Sequence, residues 1–396
     1  MNFIYISPHF PENNKYFCDR LHRNGVNVLG IGDTPYDELD EDLRECLTEY
    51  YRVDSMVEYD QVYRAVAFFI FKYGRIDWVE SNNEHWLKPD AMIRTDFNIR
   101  TGVQVSEVEH LRRKSEMKAF FEKAGIPTAR QTLVTNIFAA KAFIEEVGYP
   151  VIIKPDIGLG ARHTWKLMND ADLEKFFEIP PKRKYVMEEY VDGEIRSYDA
   201  IVDSQGDPLF ESKTVWLCNS IDAVNEGRDM AFYVDADVSE KQKKVGRDTV
   251  KAFGVKSRFV HLEFFRLTQD KPGLGKAGDY VALEVNMRPA GGYMPDMMNY
   301  AHSTDVFQIW ADMITIDSRV LTDPRRDQYC VYAGRRDGVN YVHSREEIMK
   351  KFGGRIVMNR RVTEAYRAVM GDEMFVARVP EISDVKEFIA FVQERA

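Results

Sequence analysis

Along the first hundred residues the apolar positions switch between two periods. Residues 3–7 form a short apolar run suited to a buried strand, an amphipathic stretch covers 15–23, and a second strand pattern follows Gly25 at 26–31. Strand patterns recur at 50–53 and 76–80, with helical spacing between and after them at 57–72 and 84–96. Repeated β-α units with short connections predict a parallel sheet flanked by helices. Such sheets bind ligands at the carboxyl ends of their strands, which directs attention to Ser7-Pro8-His9 and Glu80-Ser81-Asn82-Asn83.

The pattern then changes. Ser106 with Glu109 makes a capping box, and apolar positions carry the predicted helix to Gly125 and Pro127. A second helix is expected from Thr135 or Asn136 to Gly148, then a strand at 151–154 running into Pro155. Strands fill 184–216 around the turn Ser204-Gln205-Gly206-Asp207; a helix covers 238–253, two strands cover 259–265 and 280–287, and a helix covers 305–314. From about residue 326, strands at 328–333, 355–358 and 374–379 alternate with helices at 344–352 and 385–393. The expectation is a chain of mixed α/β and α+β class: an α/β unit over 1–104, a larger unit over 105–325, and a small α+β unit over 326–396.

Composition narrows the function. A chain of 396 residues exceeds what one core usually holds. With 54 Lys and Arg against 64 Asp and Glu the formal charge is −10, which argues against nucleic acid or an anionic membrane as the main partner. Cys18, Cys46, Cys218 and Cys330 form no CxxC pair, so reduced thiols in a cytoplasmic protein are expected. The longest apolar run, about 65–71, falls well short of the ~20 residues of a membrane span.

The segment 280–287 carries the sharpest chemical signal. Strict alternation would place Val281, Leu283, Val285 and Met287 on one face and Glu284, Asn286 and Arg288 on the other. Three polar residues in a row ordinarily mean a solvated face. The preceding strand, however, embeds Glu263 among Phe259, Leu262, Phe264 and Phe265. A hairpin through the loop 268–279 would set Glu263 near Glu284, and facing carboxylates destabilise a sheet unless something neutralises them. A hard cation does so: two carboxylates, an Asn carbonyl and nucleotide phosphates make a magnesium shell. Arg288 could then offset charge on a phosphoryl group.

Upstream, Lys154 ends an apolar strand and opens onto a loop containing Gly158 and Gly160, where a phosphate could be held by charge and backbone N–H groups. Lys114 follows Arg112 and Arg113, and the stretch 185–194 sets acids beside an apolar residue and a glycine. Two competing signatures fail. Gly30-Ile31-Gly32 lacks the third glycine of a dinucleotide fingerprint, and Gly273-Leu274-Gly275-Lys276 has Asp270 and Ala277 where a P-loop needs Gly and Ser or Thr.

Taken in order, Lys114 before Gly-Ile-Pro, Lys154 in Pro-Val-Ile-Ile-Lys-Pro, Met-Glu-Glu-Tyr-Val, His-Leu-Glu-Phe and Leu-Glu-Val-Asn-Met-Arg-Pro-Ala-Gly-Gly resemble the ATP-grasp superfamily. The likeness is to its carboxylate–amine ligase, biotin carboxylase and carbamoyl phosphate synthetase group. The resemblance implies an ATP-grasp fold with a pre-ATP-grasp N-terminal domain and a lid at about 128–190. It assigns Lys114, Lys154, Gly158 and Gly160 to phosphates, Glu188 and the Val191 backbone to adenine, and Glu194 to ribose. Glu263, Glu284 and Asn286 would hold magnesium, two ions with manganese as a substitute, and Arg288 would steady an acyl phosphate. The implied activity is ADP-forming ligation of a small carboxylate to an amine. A bicarbonate-activating carboxylase component or a non-catalytic nucleotide-binding scaffold are the alternatives. Glu84, Arg94, Arg162, His302 and the stretch 291–298 are candidates for the substrate side, and a homodimer through the first domain is the family expectation.

Overall fold

The computed structural model describes residues 1–158, 163–178, 183–217, 227–321 and 327–396. The first unit comprises β1 (Asn2–Ile6), α1 (Asn14–Arg23), β2 (Asn27–Gly32), α2 (Glu41–Cys46), β3 (Glu49–Arg52), α3 (Tyr59–Tyr73), β4 (Trp78–Glu80) and α4 (Leu87–Asp96). Its strands pair in parallel in the order β3-β2-β1-β4, as the period switching predicts. Phe3, Ile4 and Tyr5 are all fully buried, because crossover helices cover both faces of such a sheet.

The next helix departs from expectation. Residues 109–111 make only a 3-10 turn, and α5 (Lys114–Lys123) begins three residues later. The capping group is remote. Asp156 accepts from Lys114 N through its carbonyl (2.9 Å) and from Ser115 N through its carboxylate (3.0 Å), and it pairs with Arg113 at 3.0 Å. A carboxylate against the first turn satisfies exposed N–H groups and complements the helix dipole. Ser106 therefore caps nothing here, and Lys114 becomes the first residue of the helix, held against the end of a strand.

That strand belongs to a separate antiparallel sheet. Its elements are β5 (Gln131–Leu133), α6 (Ile137–Val147), β6 (Val151–Pro155), β7 (Trp165–Leu167), α7 (Asp170–Phe177) and β8 (Tyr185–Glu189), with strand order β5-β8-β6-β7. Asn136 caps α6 through Ala139 N, and Gly148 ends it at φ 76°, as its sequence indicates.

The remaining strands form one large sheet. β9 (Gly193–Val202), β10 (Pro208–Ser212), β11 (Thr214–Trp216), β12 (Ala231–Val234), α8 (Glu240–Ala252), β13 (Arg258–Leu267) and β14 (Tyr280–Asn286) are followed by α9 (Met294–His302) and α10 (Val306–Ile316). Then come β15 (Tyr329–Arg335), α11 (Arg345–Phe352), β16 (Ile356–Arg361), α12 (Glu364–Met370), β17 (Glu373–Val379) and α13 (Ile382–Gln393). The order is β14-β13-β9-β11-β12-β15-β17-β16, with β10 paired to β9, so the last three strands extend the central sheet.

Among the described residues four helices, α2, α7, α9 and α12, escape the sequence pattern. Over α9, Gly291, Gly292 and Pro295 resemble a loop, yet the proline occupies the first turn, where its missing N–H costs nothing. The seven residues of α12 are too few to display a period. Among the described residues, no helix is long and apolar enough to cross a membrane.

Candidate active site

A cleft opens between the β5–β8 sheet and the β13–β14 edge of the large sheet. Lys114, Lys154, Gly158, Glu188, Val191, Glu263 and Glu284 line it, with Ala129, Ile152, Tyr190, Ile195, Phe265 and Leu283 as apolar or aromatic walls. Each part is placed by a strand or helix end. Lys154 on β6 stands opposite Val186 and reaches diagonally to Glu188 on β8, with Nζ and Oε2 2.7 Å apart. Lys114, at the start of α5, reaches Glu284 Oε2 at 2.9 Å and the Gly158 carbonyl at 3.4 Å.

Glu263 and Glu284 are register partners, as the hairpin argument predicts. The alternation along β14 is not strict, however. Glu263 faces Glu284 while Phe264 faces Ala282, so Leu283 is the extra residue of a β-bulge. Tyr280 and Ala282 before it share a core with Val285 and Met287 after it. Leu283 is turned into the cleft instead, and Val281 packs with Val191 and Leu274 in another cluster. The expected Val281-Leu283-Val285-Met287 face is therefore split. The bulge lets Glu284 and Leu283 both line the cleft.

Charge is organised around these carboxylates. Burial alone would raise the Glu284 carboxyl, but Lys114 and Lys154 outweigh it and hold the pKa well below the usual carboxylate range. Asn286 Nδ2 approaches Glu284 Oε1 at 3.5 Å, and Arg288 Nη2 donates to Asn286 Oδ1 at 3.4 Å and Nη1 to the Pro289 carbonyl at 2.7 Å. Behind Glu263 stands a buried histidine. His261 contacts Glu263 at 2.9 Å through Nε2 and Asp199 at 2.6 Å through Nδ1. Burial would lower its pKa, but the two flanking carboxylates push it up to about 9. A protonated imidazole then donates to both and fixes the Glu263 carboxylate in place.

Two carboxylates and an amide oxygen form a hard, all-oxygen donor set, which fits magnesium shared with phosphate oxygens. They do not complete a shell alone. Among the described residues, no group of three or more His, Cys, Asp or Glu is arranged to hold a metal.

Other candidates separate by environment. Val191 is buried against the cleft; Glu194 is exposed between the cleft residues Gly193 and Ile195, does not itself line the cleft, and lies 2.7 Å from Arg196 Nη2. Gly160 and Arg162 lie outside the described residues. Arg94 does not face a substrate: it is fully buried, donating to the Val79 and Val103 carbonyls and pairing with Glu80. His302 is likewise buried, between Ser212 Oγ and Asp327. Glu84 remains, its carboxyl raised by burial against the pull of Arg288.

Comparison with known proteins points to the same fold. Residues 113–184 match the family described as "Carbamoyl-phosphate synthase L chain, ATP binding domain". The L-arginine-specific L-amino acid ligase of Bacillus subtilis is 23% identical over 345 residues, 82% of this chain and 76% of that protein. The crystal structure of an L-amino acid ligase from Bacillus licheniformis superposes with a TM-score of 0.70 at 14% identity, covering 98% of this chain and 95% of that one. The biotin carboxylase domain of Hydrogenobacter thermophilus 2-oxoglutarate carboxylase, solved with MgADP and bicarbonate, gives 0.65 at 13%, covering 97% and 88%. The chain has the ATP-grasp fold of these ligases.

Within this fold the residues least visible in sequence are those that hold the visible ones. Asp156 fixes Lys114, His261 fixes Glu263, and the Leu283 bulge re-aims β14. Of the three, only His261 left a trace, in its His-x-Glu spacing on one strand face.

Proposed function

We propose that the protein couples ATP cleavage to ADP and phosphate to the joining of a small carboxylate and an amine, through an acyl phosphate. The observation that carries this is the facing pair Glu263–Glu284, set in one cleft with Lys114 and Lys154. The two lysines bind the nucleotide phosphates, exchanging part of their pairing with Glu284 and Glu188 for phosphate oxygens. Glu188 and the Val191 backbone meet adenine between apolar walls, and Glu194 meets the ribose hydroxyls at the mouth. Glu263, Glu284 and Asn286 are the ligands for magnesium, which when bound offsets phosphate charge. Arg288 steadies the negative charge that develops as the substrate carboxylate attacks the γ-phosphorus.

On this account residues 1–104 serve the substrate side, 105–325 form the ATP-grasp domain with its lid at about 128–190, and 326–396 complete the large sheet. The relatives named as amino acid ligases make amino acids the first carboxylates to try. The test is magnesium-dependent ADP release over a panel of amino acid pairs. Release that rises only when two amino acids are present supports the proposal. Release driven by bicarbonate alone points to a carboxylase, and none above background across amino acids, bicarbonate and simple amines to a scaffold.

A further inference from the structure

Glu84 follows the carboxyl end of β4, in the loop that the parallel-sheet rule marks as a ligand site. Its Oε2 is buried and has no hydrogen-bond partner. Leaving a carboxylate oxygen buried and unsatisfied is costly, so such an atom calls for an explanation. The groups acting on it electrostatically come from three places: Arg288 and Glu284 on β14 and just beyond, Lys114 on α5, and Arg112 ahead of α5.

A single network fixes both sides of this arrangement. Glu80, at the end of β4, accepts from Ser81 N at 3.1 Å and Asn82 N at 3.3 Å, which sets the loop leading to Glu84. The same carboxylate pairs with Arg258 of β13, and Arg258 Nη1 donates to the Met287 carbonyl at 2.5 Å, one residue before Arg288. The loop bearing Glu84 and the strand end bearing Arg288 are thus tied through one buried ion pair.

We infer that Glu84 binds the nitrogen of the acceptor amine and takes its proton as that nitrogen attacks the acyl phosphate, an assignment that rests on the ligase function proposed above. An amine reaches the site mostly as an ammonium, for which a carboxylate oxygen lacking a partner is a suitable acceptor. One proton passes from the ammonium to Glu84 Oε2. The nitrogen lone pair forms the C–N bond, the C–O bond to phosphate breaks, and phosphate departs with that electron pair. The second proton leaves the nitrogen with the phosphate, so the products are amide, hydrogen phosphate and a proton later returned to water from Glu84.

The experiment compares two nucleophiles on one acyl donor. Wild type and Glu84→Gln are each given ATP, magnesium and the amino acids as carboxylates, first with hydroxylamine and then with amino acids as acceptors. Hydroxylamine is neutral near pH 7.5 and needs no base. In Glu84→Gln the ratio of amide to hydroxamate formation is expected to fall at least about 50-fold, within the range of general-base losses. Hydroxamate formation itself reports that the variant is folded and activates its carboxylate. An unchanged ratio, or equal loss of both products, overturns the assignment alone. No hydroxamate from the wild type with any amino acid overturns the ligase function and this role with it.

Discussion

Two clusters of buried charge meet β13 a few residues apart, at Arg258 and at Glu263, and they are built differently. In the first, Glu80 receives Arg94, Arg258 and two backbone N–H groups, and its side chain and those of both arginines are at most 6% exposed. Burial would raise the Glu80 carboxyl, but the two arginines outweigh it and lower its pKa. In the second, Lys114–Glu284 and Lys154–Glu188 are one-to-one pairs that line an open cleft, with Glu263 beside them. A carboxylate with all its acceptor sites occupied is a structural fixture; paired charges bordering a cleft keep capacity for a ligand. Both clusters contain perturbed groups, so access to the cleft, rather than pKa, distinguishes the joint from the site.

The largest expected effect falls on the cleft. Glu284→Ala should lower ADP formation on the order of 10³-fold with little change in melting temperature. Normal turnover would show that the two clusters have been assigned the wrong way round. The opposite behaviour is expected of the joint. Arg258→Met leaves Glu80 short of a partner in a dry environment and should cost about 3–5 kcal/mol in urea unfolding, the usual penalty for breaking a buried pair. A loss below about 1 kcal/mol would mean that the network is not what ties β4 to β13.

A pH series sharpens the contrast. His261, raised to about 9 by Asp199 and Glu263 against its burial, titrates near the ordinary 6.5 when unfolded. The folded state therefore holds its proton more tightly. This contribution is fully present below pH 6.5 and is lost as pH rises through 9, amounting to at most about 3 kcal/mol. Asp199→Asn should remove most of that slope in urea midpoints measured from pH 6 to 9.5 in metal-free buffer. A slope unchanged by the substitution would contradict the imidazolium assignment. The smallest effect belongs to the rim: Glu194→Gln should raise the KM for ATP a few-fold and leave kcat within twofold, as expected for about 1 kcal/mol of exposed hydrogen bonding.

The difference between the clusters also explains what could be read from sequence. The parallel sheet, the helix ends at Asn136 and Gly148, and the Glu263–Glu284 register follow from local periods and turn chemistry, which a single segment carries within itself. The start of α5 did not, because its cap is Asp156, more than forty residues downstream. The bulge at Leu283 was hidden because leucine suits a core face and a cleft wall equally well. Arg94 and His302 looked available as isolated polar residues, and their burial depends on partners such as Glu80, Ser212 and Asp327 contributed by other segments. Ordered motifs locate a ligand cleft; the supports that aim it are tertiary.

The central claim, that a carboxylate oxygen attacks ATP, is tested most directly by isotope transfer. With an amino acid substrate labelled with 18O in its carboxylate, released inorganic phosphate should carry one 18O per amide formed, alongside ADP. Unlabelled phosphate accompanying amide formation, or AMP and pyrophosphate in place of ADP and phosphate, would contradict it.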